Sequence, residues 1–305
     1  MNSVKTVLLT GAAGFIARAV HSLLREIGTG CVAVDKHPSS SDRDGNGSAI
    51  VDCDLTDASA LDAVFDSYDF DTIIHLAAVL PGAAAKDPIG ATEVNVGASV
   101  ALLERAVSHR SRRFVFGSST SVYGTAGTRA PISEQMPAAP IDAYGAGKRA
   151  VEIIGETLQR NGSIEFISLR IATVIGPGAR NTSSPWRSEI FEKLSTVDKI
   201  ALPYAQDDPL TVVHVDDVAR MLVKLASAGS VRHSLYNSPA ELLSAGELKR
   251  TVESMAPDVR VELTGRSRPL APLADGSRFA NEFSFESTPL ADSLRNALLH
   301  SSNQI

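Results

Sequence analysis

Tyr144 and Lys148 stand four residues apart in the stretch YGAGK, and this spacing places both side chains on one face of a predicted helix. A tyrosine hydroxyl has an ordinary pKa of about 10, so tyrosine alone is a poor general base at neutral pH. A neighbouring ammonium group favours the phenolate and lowers that pKa. The pair could therefore remove a proton from a substrate hydroxyl while a hydride leaves the same carbon.

Four consecutive hydroxyl-bearing residues open the stretch SSTSVYG, residues 118–124. The run ends the fifth predicted strand and comes shortly before the helix that carries Tyr144 and Lys148. In a parallel sheet, binding and catalytic groups lie at the carboxyl ends of the strands. The run is therefore either an ordinary polar turn or the source of a further catalytic hydroxyl.

A glycine-rich turn follows the first predicted strand in TGAAGFIA, where Gly11 and Gly14 stand three apart and Ala17 takes the third small position. Glycine allows the backbone to turn tightly and to approach a pyrophosphate, and the following helix offers free N–H groups and its positive dipole end. Small residues also allow that helix to pack closely on the sheet. The turn predicts a dinucleotide site, although glycine-rich loops between strands and helices also occur without one.

The second predicted strand ends in Asp35, at the spacing from the glycine turn that is typical of dinucleotide-binding proteins. Such a carboxylate accepts hydrogen bonds from the ribose hydroxyls of an adenosine and repels a 2′-phosphate, which favours NAD over NADP. Lys36 and Arg43 weaken this preference, since either could reach a phosphate. After the third predicted strand, Asp54 and Leu55 stand where an adenine edge could be contacted.

Short apolar runs alternate with helical patterns over the first two thirds of the chain. The runs that predict buried strands are 4–9, 31–35, 49–53, 72–78, 113–118 and 165–170. The amphipathic stretches that predict helices are 15–27, 56–68, where Thr56 is the expected N-cap, 90–108 and 142–160. This alternation is typical of βαβ units and predicts an α/β fold with a Rossmann-type doubly wound parallel sheet.

From about residue 171 the alternation ends, and proline and glycine become frequent. We predict an NAD-binding domain over residues 1–170, to which residues 210–240 return. Residues 171–209 and 241–305 are predicted to form a smaller C-terminal substrate-binding domain. Further helices are expected at 216–228, 244–256 and 287–299.

Composition excludes several classes of function. The 305 residues carry 29 basic and 35 acidic side chains, and the net charge of −6 argues against general affinity for nucleic acid or for an anionic membrane. No apolar run reaches the length of about 18 residues that spans a bilayer. Cys31 and Cys53 make neither a disulfide framework nor a spaced metal site, and the seven histidines show no ligand spacing. We therefore expect a metal-free protein of the reducing cytoplasm.

Taken in order, these stretches resemble the extended short-chain dehydrogenase/reductase superfamily and, within it, the NAD-dependent epimerase/dehydratase family. The resemblance extends from about residue 4 to about 240 and is carried by TGAAGFIA, Asp35, HLAA at 75–78, Asn95, SSTSVYG, YGAGK and HVDDVA at 214–219. It implies a Rossmann domain with a smaller C-terminal substrate domain and NAD as the cofactor. It also implies a homodimer, since members of the family are often dimers.

The resemblance implies three catalytic residues. Tyr144 matches the general base, Lys148 the residue that lowers its pKa, and Ser119 the hydroxyl that hydrogen-bonds the reacting oxygen. The expected cofactor-binding residues are Gly11, Ala13, Gly14, Phe15, Ile16, Asp35, Lys36, Asp54, Leu55, Leu76, Ala77, Ala78, Asn95, Tyr144, Lys148, Ile171, Thr173 and Val174. The expected substrate-binding residues are Leu80, Pro81, Ser119, Thr120, Tyr144, Thr173, Arg180, Asn181 and Arg187.

Two departures from the family pattern limit the reactions and substrates that the resemblance implies. Nucleotide-sugar 4,6-dehydratases of this family have Asp-Glu after the catalytic hydroxyl, whereas this chain has Thr120 and Ser121, which argues against that dehydration. Many nucleotide-sugar epimerases have an asparagine where Thr173 falls, and its absence weakens the case for a nucleotide-sugar substrate.

The stretch GPGARNTSSPWRSEIFEKL is also similar to superfamily members that oxidise small hydroxy acids, such as erythronate and threonine dehydrogenases. Arg180 or Arg187 would then bind the carboxylate. The sequence thus predicts hydride transfer from a secondary alcohol of a sugar or sugar-derived substrate, by an epimerase or a dehydrogenase. The alternatives are an NAD-dependent dehydrogenase of an aldonate-like or threonine-like hydroxy acid and a non-catalytic NAD-binding protein, and the retained tyrosine and lysine argue against the latter.

Overall fold

The computed structural model of the chain describes residues 6–38, 50–124, 130–179, 184–194, 198–265 and 270–302. The strands are β1 (Thr6–Thr10), β2 (Gly30–Asp35), β3 (Ile50–Asp52), β4 (Thr72–His75), β5 (Arg113–Ser119), β6 (Glu165–Ile171), β7 (Thr173–Ile175), β8 (Lys199–Leu202), β9 (Pro209–His214), β10 (Leu235–Asn237), β11 (Glu241–Ser244) and β12 (Arg260–Leu263). The helices are α1 (Phe15–Glu26), α2 (Ala58–Ser67), α3 (Pro81–Ala84), α4 (Pro88–Thr92), α5 (Ser99–Ser108), α6 (Ala143–Arg160), α7 (Trp186–Glu192), α8 (Val215–Ser227), α9 (Ala245–Met255), α10 (Ser277–Phe283) and α11 (Leu290–Ser302).

The first of two compact units is built on a seven-stranded sheet in the order β10-β6-β5-β4-β1-β2-β3. β1 pairs with β2 and β4, β2 pairs with β3, and β4 pairs with β5, all in parallel register. Leu8, Ile73 and Phe114 of these strands are fully buried, as is typical of strands that read as continuous apolar runs. The predicted α/β class with a Rossmann-type parallel sheet is confirmed.

The boundaries of the two units differ from the predicted domain boundaries in the returning segment. The first unit comprises the described residues up to 124 together with 138–170 and 219–236. The return is shorter than the predicted 210–240, because β9 pairs with β7 and β11 in a sheet of the second unit. Which unit binds cofactor and which binds substrate stays a prediction.

Residues 130–137 also belong to the second unit rather than to the predicted domain 1–170. Ile132 donates its N–H to the Leu273 carbonyl at 2.7 Å and forms a parallel bridge with Ala274. The carboxylate of Glu134 accepts from the Asn237 N–H at 2.8 Å. These contacts join residues far apart in the chain, so no local pattern in the sequence could predict them.

Aspartate side chains cap α2, α4 and α6 of the first unit. Asp142 begins α6 and accepts from the Gly145 N–H at 2.7 Å. Asp57 begins α2 and accepts from two N–H groups of its first turn, so the predicted cap at Thr56 is wrong by one residue. A carboxylate has two acceptor oxygens and a charge that the helix N-terminus favours, whereas the Thr56 hydroxyl donates to Asp54 at 2.7 Å.

The predicted helix 90–108 is divided into α4, a π-helical turn over Glu93–Ala98 and α5. Such a turn accommodates an extra residue, and π-helical turns occur frequently at functional sites. Asn95 lies in this turn and is buried. A hydrophobic period predicts the helix but not this local change in its winding.

The second unit contains the three-stranded sheet β11-β9-β7 and the parallel pair β12-β8. Its apolar core includes Trp186, Phe191, Ile200 and Leu248. A capping box of Ser244 and Glu247 begins α9. Among the helices that the structure describes, none combines the length and the apolar character needed to cross a membrane.

Candidate active site

The glycine turn lies between β1 and α1 and is closed by a hydrogen bond from the Gly14 N–H to the Gly11 carbonyl at 2.8 Å. Gly11 has a φ of 70°, a left-handed conformation that disfavours any side chain. α1 begins at Phe15 and Ile16 with neither a side-chain cap nor an acidic residue in its first turn. The backbone at this helix start is therefore suited to an anion, and the turn fits a pyrophosphate.

Asp35 ends β2 beside this turn. Its Oδ2 accepts from the Ala13 N–H at 3.0 Å, and its Oδ1 accepts from the His37 N–H at 3.1 Å. The acidic side chain is thus fixed against the backbone of the glycine turn. The sequence places the glycine turn and Asp35 in adjacent βα units. The structure shows that Asp35 contacts the turn that contains Gly11, Ala13 and Gly14.

Lys36, the next residue, is paired with a second carboxylate. Its Nζ lies 2.7 Å from Asp54 Oδ2, and hydrogen bonds from Lys36 and Thr56 lower the pKa of Asp54 to about 2. Leu55, which follows Asp54, is buried. The Lys36 side chain is 57% exposed, so the pair contributes little to stability. A phosphate at this position would nevertheless have to compete with Asp54 for the ammonium group.

The segment 76–79 follows β4 and is held by two side chains. Thr10 Oγ1 accepts from the first two N–H groups of the segment, at 3.2 and 3.3 Å. Asn95 binds Val79 on both sides of its backbone, since Oδ1 accepts from the N–H at 2.7 Å and Nδ2 donates to the carbonyl at 2.9 Å. The backbone expected to run along the cofactor is therefore fixed by the end of β1 and by the π-helical turn.

His75 connects these supports from within the sheet. Its Nδ1 lies 2.6 Å from Thr10 Oγ1, and its Nε2 lies 2.8 Å from Ser99 Oγ. Burial, with a smaller contribution from the Lys148 charge, lowers the pKa of His75 to about 3. The imidazole is therefore neutral and links two hydroxyl groups.

Ser119 ends β5 and lies next to the start of α6. A 3₁₀ turn, Thr120–Tyr123, follows it, and Ser119 Oγ accepts from the Ser121 N–H at 3.1 Å. Tyr144 is in the first turn of α6 and is 9% exposed. A Cβ on the neighbouring Gly145 would lie 2.6 Å from the Ser121 carbonyl oxygen, so glycine permits this close approach. The turn that follows Ser119 and the helix start that carries Tyr144 are therefore in contact.

Lys148 is almost completely buried one helical turn beyond Tyr144. Its Nζ donates to the Gly117 carbonyl at 2.7 Å and lies 5.7 Å from the Tyr144 ring centroid and 4.6 Å from the Phe116 ring centroid. Burial lowers the pKa of Lys148 to about 8, and the charge of Glu152 opposes that decrease. The lysine is thus mostly protonated at neutral pH and places a cation beside the tyrosine.

Leu80, Pro81 and Thr120 are the remaining predicted site residues of the first unit. Leu80 is half exposed, and Pro81 begins α3 directly after it. Thr120 is buried in the turn after Ser119. The structure gives no contact that assigns a ligand to Leu80, Pro81 or Thr120, so their roles stay predictions.

In the second unit, three predicted residues are buried in or beside β7, namely Ile171, Thr173 and Val174. Arg187 lies in α7 with its guanidinium carbon 5.9 Å from the Trp186 ring centroid. Arg180 and Asn181 lie outside the described residues. Within the part of the chain that the structure describes, no three histidine, cysteine or acidic side chains gather as a metal site.

Some residues that support the site were not predicted from the sequence, among them Thr10, Gly117 and Glu152. Gly117 acts through its carbonyl, which any residue type would supply, so the sequence carries no signal for it. Glu152 stands four residues after Lys148 on the same helix face, and this spacing could have identified it.

A model of the NAD dependent epimerase/dehydratase family matches residues 7–237. The chain belongs to this family. The match includes the glycine turn, Asp35, Ser119, Tyr144 and Lys148, so the resemblance inferred from the motifs is confirmed. It also confirms the prediction of an enzyme family that depends on NAD.

Two curated relatives are UDP-glucose 4-epimerases. The protein from Halalkalibacterium halodurans is 31% identical over 176 residues, which are 56% of this chain and 51% of that protein. UDP-glucose 4-epimerase 2 of Oryza sativa subsp. japonica is 29% identical over 266 residues, which are 77% of this chain and 65% of that protein. The matches therefore span between half and two thirds of the length of these relatives.

Solved structures share the fold over nearly the whole chain. UDP-glucose 4-epimerase of Thermus thermophilus, in complex with NAD, has a TM-score of 0.83 and 19% identity, with 98% of this chain and 100% of that chain covered. L-threonine dehydrogenase of Clostridium difficile has a TM-score of 0.87 and 20% identity, with 99% and 98% covered. At this level of identity the two structures establish that this chain shares their fold.

Proposed function

We propose that this family member transfers a hydride from a secondary alcohol of a sugar or sugar-derived substrate to NAD, with Tyr144 as the general base. The observation that carries the proposal is the position of buried Lys148, hydrogen-bonded to the Gly117 carbonyl and 5.7 Å from the Tyr144 ring centroid. This arrangement lies beside the turn that carries Ser119. A cation held in this way favours the phenolate that a general base requires.

The residues of the first unit fit the cofactor of the family. The glycine turn and the start of α1 would hold the pyrophosphate, Asp35 the adenosine ribose, and segment 76–79 the side of the dinucleotide. NAD, when bound, supplies the carbon that accepts the hydride. Ile171, Thr173 and Val174 stay cofactor-binding residues that the family resemblance implies.

Each catalytic side chain has a separate task. Tyr144 removes the proton of the substrate hydroxyl, and Lys148 stabilises the phenolate by its charge. Ser119 donates a hydrogen bond to the same substrate oxygen, for which its hydroxyl must leave the contact with Ser121 Oγ at 3.1 Å. Burial strengthens these charge-dependent interactions because little water competes with them.

Two outcomes of the same chemistry compete. An epimerase returns the hydride to the other face of the oxidised substrate, whereas a dehydrogenase releases the product and NADH. Thr120 and Ser121 carry no carboxyl group, so neither outcome includes the dehydration step that 4,6-dehydratases catalyse. The dehydrogenase of a small hydroxy acid remains the second candidate, and Thr173 in place of an asparagine supports it because that asparagine contacts nucleotide-sugar substrates in the family pattern.

The purified chain with NAD distinguishes these outcomes on a panel of sugar nucleotides, aldonates, uronates and hydroxy amino acids. Thermal shifts identify the class that binds, since a ligand of the folded state raises its stability by mass action. Steady growth of NADH absorbance supports the dehydrogenase, and substrate conversion without net NADH supports the epimerase. No thermal shift and no conversion with any alcohol of the panel would contradict the proposed function.

Cofactor choice gives a second prediction. Asp35→Ser is expected to weaken NAD binding at least 10-fold, because the ribose loses a charged hydrogen-bond acceptor. NADP binding should improve, since the carboxylate that repels a 2′-phosphate is gone. Isothermal titration calorimetry measures both dissociation constants.

The matched control is Asp66→Ser, which removes an exposed carboxylate of α2 that has no part in the proposed cofactor site. Its NAD dissociation constant should stay within a few-fold of the parent value, since an exposed charge outside the site is screened by solvent. Equal NAD affinity in Asp35→Ser and the parent would show that this carboxylate does not bind the ribose.

A homodimer and a cytoplasmic location complete the proposal. The family resemblance supports the first, and the free thiols of Cys31 and Cys53 are consistent with a reducing compartment. Light scattering of the purified protein tests the dimer, and a mass of one chain at micromolar concentration would contradict it. Fractionation of cells that produce the protein tests the location.

A further inference from the structure

Glu152 is a fully buried carboxylate of the first unit that has no part in the chemistry proposed above. It lies in α6 one helical turn beyond Lys148, so Tyr144, Lys148 and Glu152 follow one another at four-residue spacing on one helix face. Burying an acidic group is costly unless charged and hydrogen-bonding partners surround it. Its partners therefore show what the carboxylate does.

Four side chains donate to Glu152. Arg170 donates from Nε to Oε1 at 2.9 Å and from Nη2 to Oε2 at 2.7 Å. Ser118 and Ser168 donate to Oε1 at 2.6 and 3.3 Å, and Arg149 donates to Oε2 at 3.0 Å. Burial alone would raise the pKa of Glu152, but the hydrogen bonds and charge of Arg170 outweigh it and hold that pKa below its usual value. The group is therefore an anion at neutral pH.

Two consecutive residues at the end of β5 are tied to α6. The Gly117 carbonyl accepts from Lys148 at 2.7 Å, and the Ser118 hydroxyl donates to Glu152 at 2.6 Å. The next residue is Ser119, the proposed hydrogen-bond donor to the substrate. The bonds of Lys148 and Glu152 thus fix the strand end that carries Ser119 against the helix that carries the general base.

The charge of Glu152 also acts more strongly on Lys148 than on Tyr144. At about 1.5 Å of rise per residue, Glu152 is roughly 6 Å along the helix axis from Lys148 and roughly 12 Å from Tyr144. It raises the pKa of Lys148 against the effect of burial. Within the described residues, the charged or titratable groups around the two include Arg149 with its partner Glu156 of α6, His75 of β4, Arg170 of β6 and Tyr123 of the 3₁₀ turn.

We propose that Glu152 is a positioning residue, which fixes the strand end carrying Ser119 and keeps the Lys148 ammonium charged beside Tyr144. The inference rests on the proposed function, in which Tyr144 is the base. Without the carboxylate, Lys148 loses its proton at lower pH. The phenolate of Tyr144 then forms without a neighbouring cation, so the midpoint of the Tyr144 ionisation moves to higher pH.

The ionisation of Tyr144 tests the inference without any substrate. The phenolate absorbance of the NAD-bound protein is titrated, and the curve of the corresponding Tyr144→Phe protein is subtracted. Glu152→Gln keeps the size and an acceptor oxygen but removes the charge. We expect its midpoint to rise by about one pH unit. Turnover at neutral pH should fall about 10-fold for the same reason.

Glu156→Gln is the matched control. Glu156 lies one turn further along α6 and accepts from Arg149 at 3.2 Å, with a side chain that is 24% exposed. Glu156→Gln removes one negative charge from the same helix, as Glu152→Gln does. It should leave both the ionisation midpoint of Tyr144 and the turnover unchanged. A rise of equal size in Glu152→Gln and Glu156→Gln would overturn the inference, because any carboxylate of α6 would then suffice.

The outcomes separate the inference from the proposed function. An unmoved midpoint in Glu152→Gln overturns the inference and leaves the proposed base intact. If the parent shows no Tyr144 transition below the ordinary tyrosine pKa of about 10, the proposed base is wrong and the inference falls with it.

Glu152→Gln leaves Arg170 buried opposite a neutral group, which can prevent folding. Ser118→Ala is therefore the second variant, since it removes only the bond of 2.6 Å at the strand end. We expect kcat to fall about 5-fold, while KM and the NAD dissociation constant stay at the parent values. An unchanged kcat in a folded Ser118→Ala protein would overturn the positioning role.

Discussion

Replacing Tyr144 with phenylalanine is expected to reduce turnover about 10³-fold while NAD remains bound. The substitution removes one oxygen and keeps the ring whose centroid lies 5.7 Å from Lys148 Nζ. Without the phenolate, the proton of the substrate hydroxyl has no acceptor within the buried pair. The ribose and pyrophosphate contacts proposed for Asp35 and the glycine turn do not involve this oxygen, so cofactor affinity should change by no more than a few-fold.

Tyr68→Phe is the matched control, because Tyr68 belongs to the same unit and is exposed. Turnover is measured on whichever alcohol of the panel the parent converts, and NAD binding is measured by calorimetry. If Tyr144→Phe keeps the turnover of the parent, Tyr144 is not the general base. Another residue would then have to remove the proton. A loss of NAD binding together with turnover would instead indicate that the ring position, not the proton transfer, had been disturbed.

The parallel core was predictable because its signal is local. Strands such as Arg113–Ser119 contain a short, fully buried apolar run, here Phe114 to Phe116, and amphipathic helices follow them at regular intervals. The glycine turn and Asp35 were predictable for the same reason, since each occupies a fixed place within one βα unit. Pairing of distant segments has no such signal, so the contact of Ile132 with Leu273 and the pairing of β9 with β7 and β11 can be seen only in the structure.

The candidate site was predictable in its reactive groups but not in its supports. Tyr144 and Lys148 are marked by their spacing, whereas Gly117 contributes only a backbone carbonyl. Thr10 and Asn95 hold segment 76–79 through hydrogen bonds between different βα units, and only the folded sheet brings these units together. Sequence patterns therefore indicate what chemistry a site can do, while contacts between elements decide how accurately its groups are placed.

Gly11→Ala is expected to weaken NAD binding about 100-fold or more, through backbone contacts rather than through a lost side chain. Gly11 has a φ of 70°, and a Cβ there would lie 2.7 Å from Ala77 N, 2.8 Å from Ala77 Cα and 3.0 Å from Leu76 C. All three atoms belong to the backbone of the segment that Thr10 holds, so they cannot move aside as a flexible side chain would. The glycine turn or the segment must shift, and both are proposed to bind the cofactor.

Gly28→Ala separates this collision from the cost of the conformation itself. Gly28 also has a φ of 70°, but a Cβ there would meet no atom within 4 Å. Gly28→Ala should therefore lose about 1–2 kcal/mol of unfolding free energy to left-handed strain, measured by chemical denaturation, and Gly11→Ala should lose more because its Cβ also meets backbone atoms. Only Gly11→Ala should lose NAD affinity in calorimetry. Equal NAD affinity in the two variants would mean that the close approach of Gly11 to Ala77 is a packing feature of the sheet and not part of the cofactor site.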